Sequence, residues 1–166
     1  MILGDLDIAV EQDQWPNCEN LIRDRVMLAL KSCTTDTGGR PCELSIVLTG
    51  DDHIQELNRD YRDKDKATNV LSFPALESPA AGEITLEPGP VHLGDIVLAF
   101  GVVQMQAKDQ EIAFDDHLSH LIIHGVLHLI GYDHIDDDEA EEMEALEIAL
   151  LEQLGIANPY GSEAQS

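Results

Sequence analysis

The sequence predicts a single α+β domain, and three observations predict it. The chain has 166 residues, a length that favours one compact domain with a sizeable core. Short branched runs of strand character come early and apolar residues at helical spacing come late, with some alternation between them. No internal repeat and no shift in composition marks a second unit. We expect one domain over residues 1–158 and a frayed tail over 159–166.

The elements follow from local pattern. Residues 6–10 read as a short strand. Residues 16–33 read as a helix, with Ile22, Val26, Ala29, Leu30 and Cys33 at helical spacing. Residues 37–41 form a turn around Gly38, Gly39 and Pro41. Residues 43–48, rich in branched side chains, read as a strand. Thr49 and Asp51 are expected to cap a helix over 52–61 whose inner face carries Ile54, Leu57 and Tyr61. Residues 69–73 read as a strand that Pro74 stops. Residues 77–90, with three prolines and two glycines, form a long loop. A strand over 93–100 follows, then helices over 102–112, 116–130 and 136–154. Met143, Leu146, Leu150 and Leu154 are the expected buried stripe of the last.

Bulk properties exclude several classes. No apolar run approaches a membrane span, and the longest candidate, 121–130, is interrupted by His124 and His128. The first residues lack the basic lead and apolar stretch of a secretion signal. Three cysteines, Cys18, Cys33 and Cys42, are too few and too irregularly spaced for a disulfide framework and read as small apolar fillers. The expected location is the cytoplasm. The net charge of −24 sits awkwardly with nucleic-acid binding, which usually needs basic surface. Its distribution matters more than its sum. Residues 133–152 hold ten of the 33 acids and no lysine or arginine, whereas Arg59, Arg62, Lys64 and Lys66 hold four of the nine basic groups within eight positions.

The densest chemical signal is His124-Gly125-Val126-Leu127-His128-Leu129-Ile130-Gly131-Tyr132-Asp133-His134. Residues four apart lie on one helix face, so His124 and His128 present two imidazoles together. A continued helix would carry His134 roughly 240° away from His128. Gly131 can take the left-handed conformation that ends a helix and let the chain bring His134 back. Three nitrogens with an open fourth position is the layout of a catalytic rather than a structural zinc. Neutral imidazoles leave the cation its full charge, which brings the pKa of a bound water to about 7 and polarises a carbonyl or phosphoryl oxygen. Nickel, copper or iron would also suit three imidazoles.

The spacing matches the metzincin pattern H-E-x-x-H-x-x-G-x-x-H at all positions but one, a zincin-like helix and turn. The glutamate that serves metzincins as general base is replaced by Gly125. That departure counts against peptide hydrolysis and favours a phosphodiester, whose transition state gathers negative charge on oxygen. His117 and His120 precede the motif. His120, one turn before His124, either orients a ligand or is a satisfied polar residue. Asp133 either bonds a ligand imidazole, accepts a proton or caps the next helix. His53 and His92 read as surface residues.

Arginine's planar fork suits two phosphate oxygens at once, so an arginine of the 59–66 segment beside the metal would clamp a phosphodiester. Three blocks together resemble the YbeY family of bacterial rRNA-maturation endoribonucleases. They are Leu57-Asn58, Tyr61-Arg62, Asp65-Lys66 and Thr68-Asn69-Val70-Leu71-Ser72-Phe73-Pro74; then Leu93-Gly94-Asp95-Ile96; then the histidine motif with the acidic 136–143 behind it. The resemblance spans about 40–160. It implies a small mixed sheet packed by helices with a metal in a cleft, and one zinc held by His124, His128 and His134. Arg62 corresponds to the family's functional arginine, so Arg62 and His124 are the expected catalytic residues. It further implies a single-strand-specific, zinc-dependent endoribonuclease acting in 3′ end maturation of small-subunit rRNA and in ribosome quality control. RNA is the implied partner, and the acidic last helix either docks a basic ribosomal protein of the ribosomal subunit or is a solvated face that keeps the protein soluble. Two other readings stay open: a zinc peptidase using Asp133 or another acid as base, and a non-catalytic ribosome-assembly factor with a structural metal.

Overall fold

The computed structural model describes residues 1–32, 39–75, 78, 89–131 and 137–159. Among them the elements run β1 (Leu3–Val10), α1 (Glu19–Lys31), β2 (Cys42–Thr49), α2 (Asp51–Arg62), β3 (Val70–Pro74), β4 (Val91–Ala99), α3 (Phe100–Asp109), α4 (Phe114–Ile130) and α5 (Asp137–Gln153). The strands form one sheet in the order β1-β2-β4-β3. β1, β2 and β4 are parallel and β3 runs antiparallel on the edge, so the sheet is mixed and the α+β expectation stands.

Strand alternation divides the core. Leu44, Ile46, Leu48, Ile96 and Leu98 point to the face covered by α1 and α4, where they meet Ile22, Val26, Ile122 and Val126. Val97 and Ala99 point the other way, to Ile54 of α2. α4 is apolar over most of its circumference and is accordingly the most enclosed helix. Ile122, Ile123, Val126 and Leu127 have no exposed surface. A helix wedged between the sheet, α1, α3 and α5 is a rigid mount for whatever its remaining face carries.

Several expectations need correction. Neither Thr49 nor Asp51 caps α2; its N-cap is Gly50, with no side-chain cap bond. Thr49 Oγ1 pairs with His53 Nδ1 instead. Asp51 Oδ1 accepts from Val102 N–H and so caps the first turn of α3 across the fold. Tyr61 is 68% exposed rather than inward, because α2 ends there and the ring lies edge-on to Phe73. α1 starts only at Glu19: Trp15, ahead of Pro16, is buried and donates its indole N–H to Thr49 O. At Gly94, φ is +135° and a Cβ would run into the Phe73 carbonyl, so glycine lets β3 close against β4. Cys18 and Cys42 are buried and unbridged, as fillers should be. No described helix is long and apolar enough to cross a membrane. Cys33, residues 37 and 38 of the expected turn, most of the 77–90 loop, Tyr132, Asp133, His134 and the 160–166 tail lie outside the described residues.

Candidate active site

The outward face of α4 carries His117, His120, His124 and His128 in succession, with ring centroids 6.3, 6.1 and 4.5 Å apart. The two rings of the sequence motif do converge: His124 Nε2 and His128 Nε2 stand 3.0 Å from each other. The helix then ends at Gly131, whose φ of +125° is the turn expected there and whose N–H returns to the carbonyls of Leu127 and His128. His134, the third expected ligand, lies outside the described residues.

One residue of this site was not anticipated. Glu147, from α5, is fully buried. Its Oε1 lies 2.5 Å from His124 Nδ1 and its Oε2 lies 3.2 Å from His120 Nε2. The sequence held a signal for it. Glu147 sits four positions after Met143 and three before Leu150, so it interrupts the stripe expected to be apolar. A carboxylate placed in a core stripe needs a partner there. His120 accordingly reaches His124 indirectly, through the carboxylate they share.

His120, His124 and Glu147 place potential ligand atoms within 4.8 Å of one another. The His124–Glu147 separation of 2.5 Å is that of a short hydrogen bond to a carboxylate, too short for two atoms bound to one cation at about 2.1 Å in tetrahedral geometry. With Nδ1–H given to Glu147, the lone pair of His124 is on Nε2 and aims at His128. Carboxylate behind, imidazole between, cation in front is the recurrent support of a metal-binding histidine. The cluster could hold a metal, and with His124 Nδ1 turned to Glu147 it is Nε2 that would be left to serve as the ligand atom of that ring.

Arg62 ends α2, exposed, on the far side of the edge strand. Its Nη2 donates to Ser72 O at 2.7 Å and its guanidinium carbon lies 5.4 Å from the Phe73 ring centroid. Ser72 Oγ in turn donates to Gly125 O at 3.4 Å, one residue after His124. β3 thus ties the arginine to the histidine helix. Arg59, Lys64 and Lys66 are exposed around it. His53 and His92 sit at the surface, facing Glu11 and Glu43 respectively.

Gly125, where metzincins carry their glutamate, is buried against the sheet. A Cβ there would come within 3.1 Å of the Ile96 side chain and 3.3 Å of Ser72 Oγ. A glutamate at this position would press on the sheet, because α4 lies close on β3 and β4 there. His117 is buried and bonds Gln106 Oε1 at 2.9 Å. Burial and the neighbouring His120 push its pKa down to about 4.

With this geometry in view, comparison with known proteins is direct. The model of the family "Endoribonuclease YbeY" matches residues 6–155. A curated endoribonuclease YbeY of Agrobacterium fabrum is 45% identical over 96% of both chains. Another, from Paramagnetospirillum magneticum, is 56% identical over 73% of both. A solution structure of a Thermotoga maritima protein superposes with a TM-score of 0.60 at 25% identity, over 96% of this chain and 92% of that one. A fold, a histidine helix and a family model that agree over nearly the whole length leave one assignment: this chain belongs to the YbeY endoribonuclease family.

Proposed function

We propose that the chain is a metal-dependent endoribonuclease that cuts single-stranded RNA, with a cation held by His124, His128 and His134. The observation that carries this reading is the approach of His124 Nε2 to His128 Nε2 while Glu147 occupies the other His124 nitrogen. A ring fixed from behind with its lone pair outward is pre-organised for a cation. His134 enters on its sequence spacing and on the turn at Gly131, and zinc is the ion that three imidazoles suit best among those in contention. When bound, such an ion supplies Lewis-acid polarisation of a phosphoryl oxygen and acidifies water.

The chain's own groups do the rest. Arg62 neutralises the charge that gathers on the phosphoryl oxygens, and its fork can engage two of them. Ser72 and Phe73 hold its guanidinium in place. Glu147 keeps His124 in one tautomer. RNA carries its own 2′-hydroxyl nucleophile, which makes a built-in glutamate to activate water less necessary than in a metzincin. The name of the curated relatives, endoribonuclease, supports RNA as the substrate. The biological task we assign is 3′ end maturation of small-subunit rRNA and ribosome quality control in the cytoplasm. The acidic exposed side of α5, with Glu141, Glu142 and Glu152, is offered to a basic ribosomal protein, since the net charge of −24 makes free RNA a weak, salt-sensitive ligand.

Metal analysis of the purified protein, paired with cleavage of single-stranded RNA, duplex RNA and an unstructured peptide before and after chelation, tests this. The expected result is roughly one transition-metal ion per chain and chelation-sensitive cleavage of single-stranded RNA alone. Peptide cleavage without RNA cleavage, or RNA cleavage indifferent to chelation, overturns it. The product ends then define the nucleophile: a 2′,3′-cyclic phosphate means the RNA's own hydroxyl, and a 5′-phosphate means water.

A further inference from the structure

The described residues enclose a cavity of about 590 Å³ between α3, the first half of α4 and the segment after α5. Its volume lies in the range of small-molecule sites, about 300–1,000 Å³. It meets the histidine site only at His120, which lines the cavity and shares Glu147 with His124. Its polar wall is built from neutral groups, chiefly Asn69, Gln106, Gln110, His117 and Asn158. The lining contains Asp116 and no lysine or arginine, which makes it a poor seat for phosphate.

Val70 N–H donates to Asn69 Oδ1 at 2.7 Å, which fixes the Asn69 amide. Asn69 Nδ2 must then donate to Gln106 Oε1, at 2.9 Å. With that oxygen as acceptor, the His117 nitrogen beside it, Nε2 at 2.9 Å, is the protonated one. His117 Nδ1 is therefore a bare lone pair, and it is buried with no hydrogen-bond partner. Its ring is thereby fixed in one tautomer and sits neutral at the back of the wall. The two bonds on Gln106 Oε1 also orient its NH₂ group, which has no partner among the described residues. The wall offers an uncharged donor at the Gln106 NH₂ group, while His117 Nδ1 lies behind the wall with no surface open to the cavity. Leu121, Leu151, Ile156 and Pro159 supply apolar surface beside them.

Position points to the occupant. The cavity and the metal-side histidines share one face of α4, linked by ring spacings of 6.3 and 6.1 Å from His117 through His120 to His124. Asn69 also lies three residues before Ser72, the anchor of Arg62, which is about 10 Å along an extended strand. A planar, neutral group with mixed donors and acceptors, tethered near a scissile phosphate, is a nucleobase. Single-stranded RNA is read in this way, by unstacking a base and bonding its edge.

We infer that the cavity lined by Gln106, His117, Asn69 and Asn158 receives one unstacked nucleobase of the RNA, near the cut. This rests on the endoribonuclease reading, so the test separates the two. Side-chain amide and imidazole NMR signals of the metal-free protein are followed while adenosine, guanosine, cytidine, uridine and ribose 5-phosphate are added in turn to millimolar concentrations. The inference expects at least one nucleoside to shift Gln106, Asn158 and His117 resonances, unequally among the four, and ribose 5-phosphate to leave them in place. Gln106→Met, close in shape but without the amide, and Asn158→Ala, outside the Asn69–Gln106–His117 network, should each weaken that binding by tenfold or more. Gln104→Ala, exposed on the same helix, should not. The wild type should also cut a randomised single-stranded RNA with a base preference at one position beside the cut, flattened in Gln106→Met. Silence of the cavity signals toward all four nucleosides, or an equal response to ribose 5-phosphate, overturns the inference whether or not RNA is cleaved. Binding of a nucleoside in the cavity by a protein that cuts no RNA under any metal condition sustains the pocket and sinks the endoribonuclease reading instead.

Discussion

The two halves of α4 use the same side chain for opposite ends. Near its start, His117 faces an amide, is buried, and is held neutral with its pKa pushed down to about 4. Near its end, His124 faces a fully buried carboxylate and directs its second nitrogen at another imidazole. Both rings sit on one face of one helix. What separates them is the partner behind each ring: a neutral partner makes a group that reads shape and hydrogen bonds, and an anionic partner makes a donor to a cation. Histidine spacing alone could not reveal this, because the partners come from α3 and α5.

The largest effect that tests this contrast is removal of a ring at each end. His124→Ala should abolish tight metal binding and drop RNA cleavage below detection. His117→Gln should keep one metal per chain by elemental analysis. Equal metal loss in both variants would erase the distinction between the two halves.

Arg62→Ala comes next. The side chain is exposed, so the fold should be unchanged by circular dichroism and by the midpoint of urea unfolding. Cleavage should fall about 10²–10³-fold, the usual cost of one transition-state charge donor. Arg62→Lys should recover little, since an ammonium lacks the planar fork. Retained metal with lost cleavage would assign Arg62 to the phosphate rather than to the cation site. Retained RNA processing would favour a non-catalytic assembly factor.

Glu147→Gln keeps the shape of the side chain and removes its charge. Partners behind a metal-binding imidazole are worth roughly 10–100-fold in affinity. Competition with a chelating dye should show a loss of that size, and Glu147→Asp should recover part of it. An unchanged affinity would mean that Glu147 merely fills the core.

Much of this was legible in the sequence, for identifiable reasons. The helix over 114–130 and its turn were readable because His124, His128 and Gly131 obey the geometry of one element. The α1 stripe of Ile22, Val26, Ala29 and Leu30 is likewise local, and all four are buried. What failed was non-local. Asp51 stands where a cap for its own helix is expected, yet it caps α3, brought beside it only by the folded sheet. Glu147 was hidden in a stripe read as apolar because its partners lie 23 and 27 positions away. That Gly125 replaces the metzincin glutamate is plain in the sequence, but its close approach to Ile96 and Ser72 needed the sheet.

The smallest effect is also the most direct measure of the neutral half. His117 has a pKa of about 4 in the folded chain against an ordinary value of 6.5. Between those values the unfolded chain binds a proton that the native chain refuses. Acidification through that window therefore favours unfolding, and the stability from this ring is full above pH 6.5 and lost as pH falls toward 4. The groups that face it are His120 and Asp116 on its own helix and Gln106 on α3. Other histidines and carboxylates contribute to the total slope, so the difference between wild type and His117→Gln isolates this one. Urea midpoints taken at intervals from pH 7 to pH 4 should decline less steeply in the variant, by no more than one proton's worth of slope. Parallel declines would mean that His117 titrates as freely in the fold as out of it, and the contrast between the two ends of α4 would then rest on the metal alone.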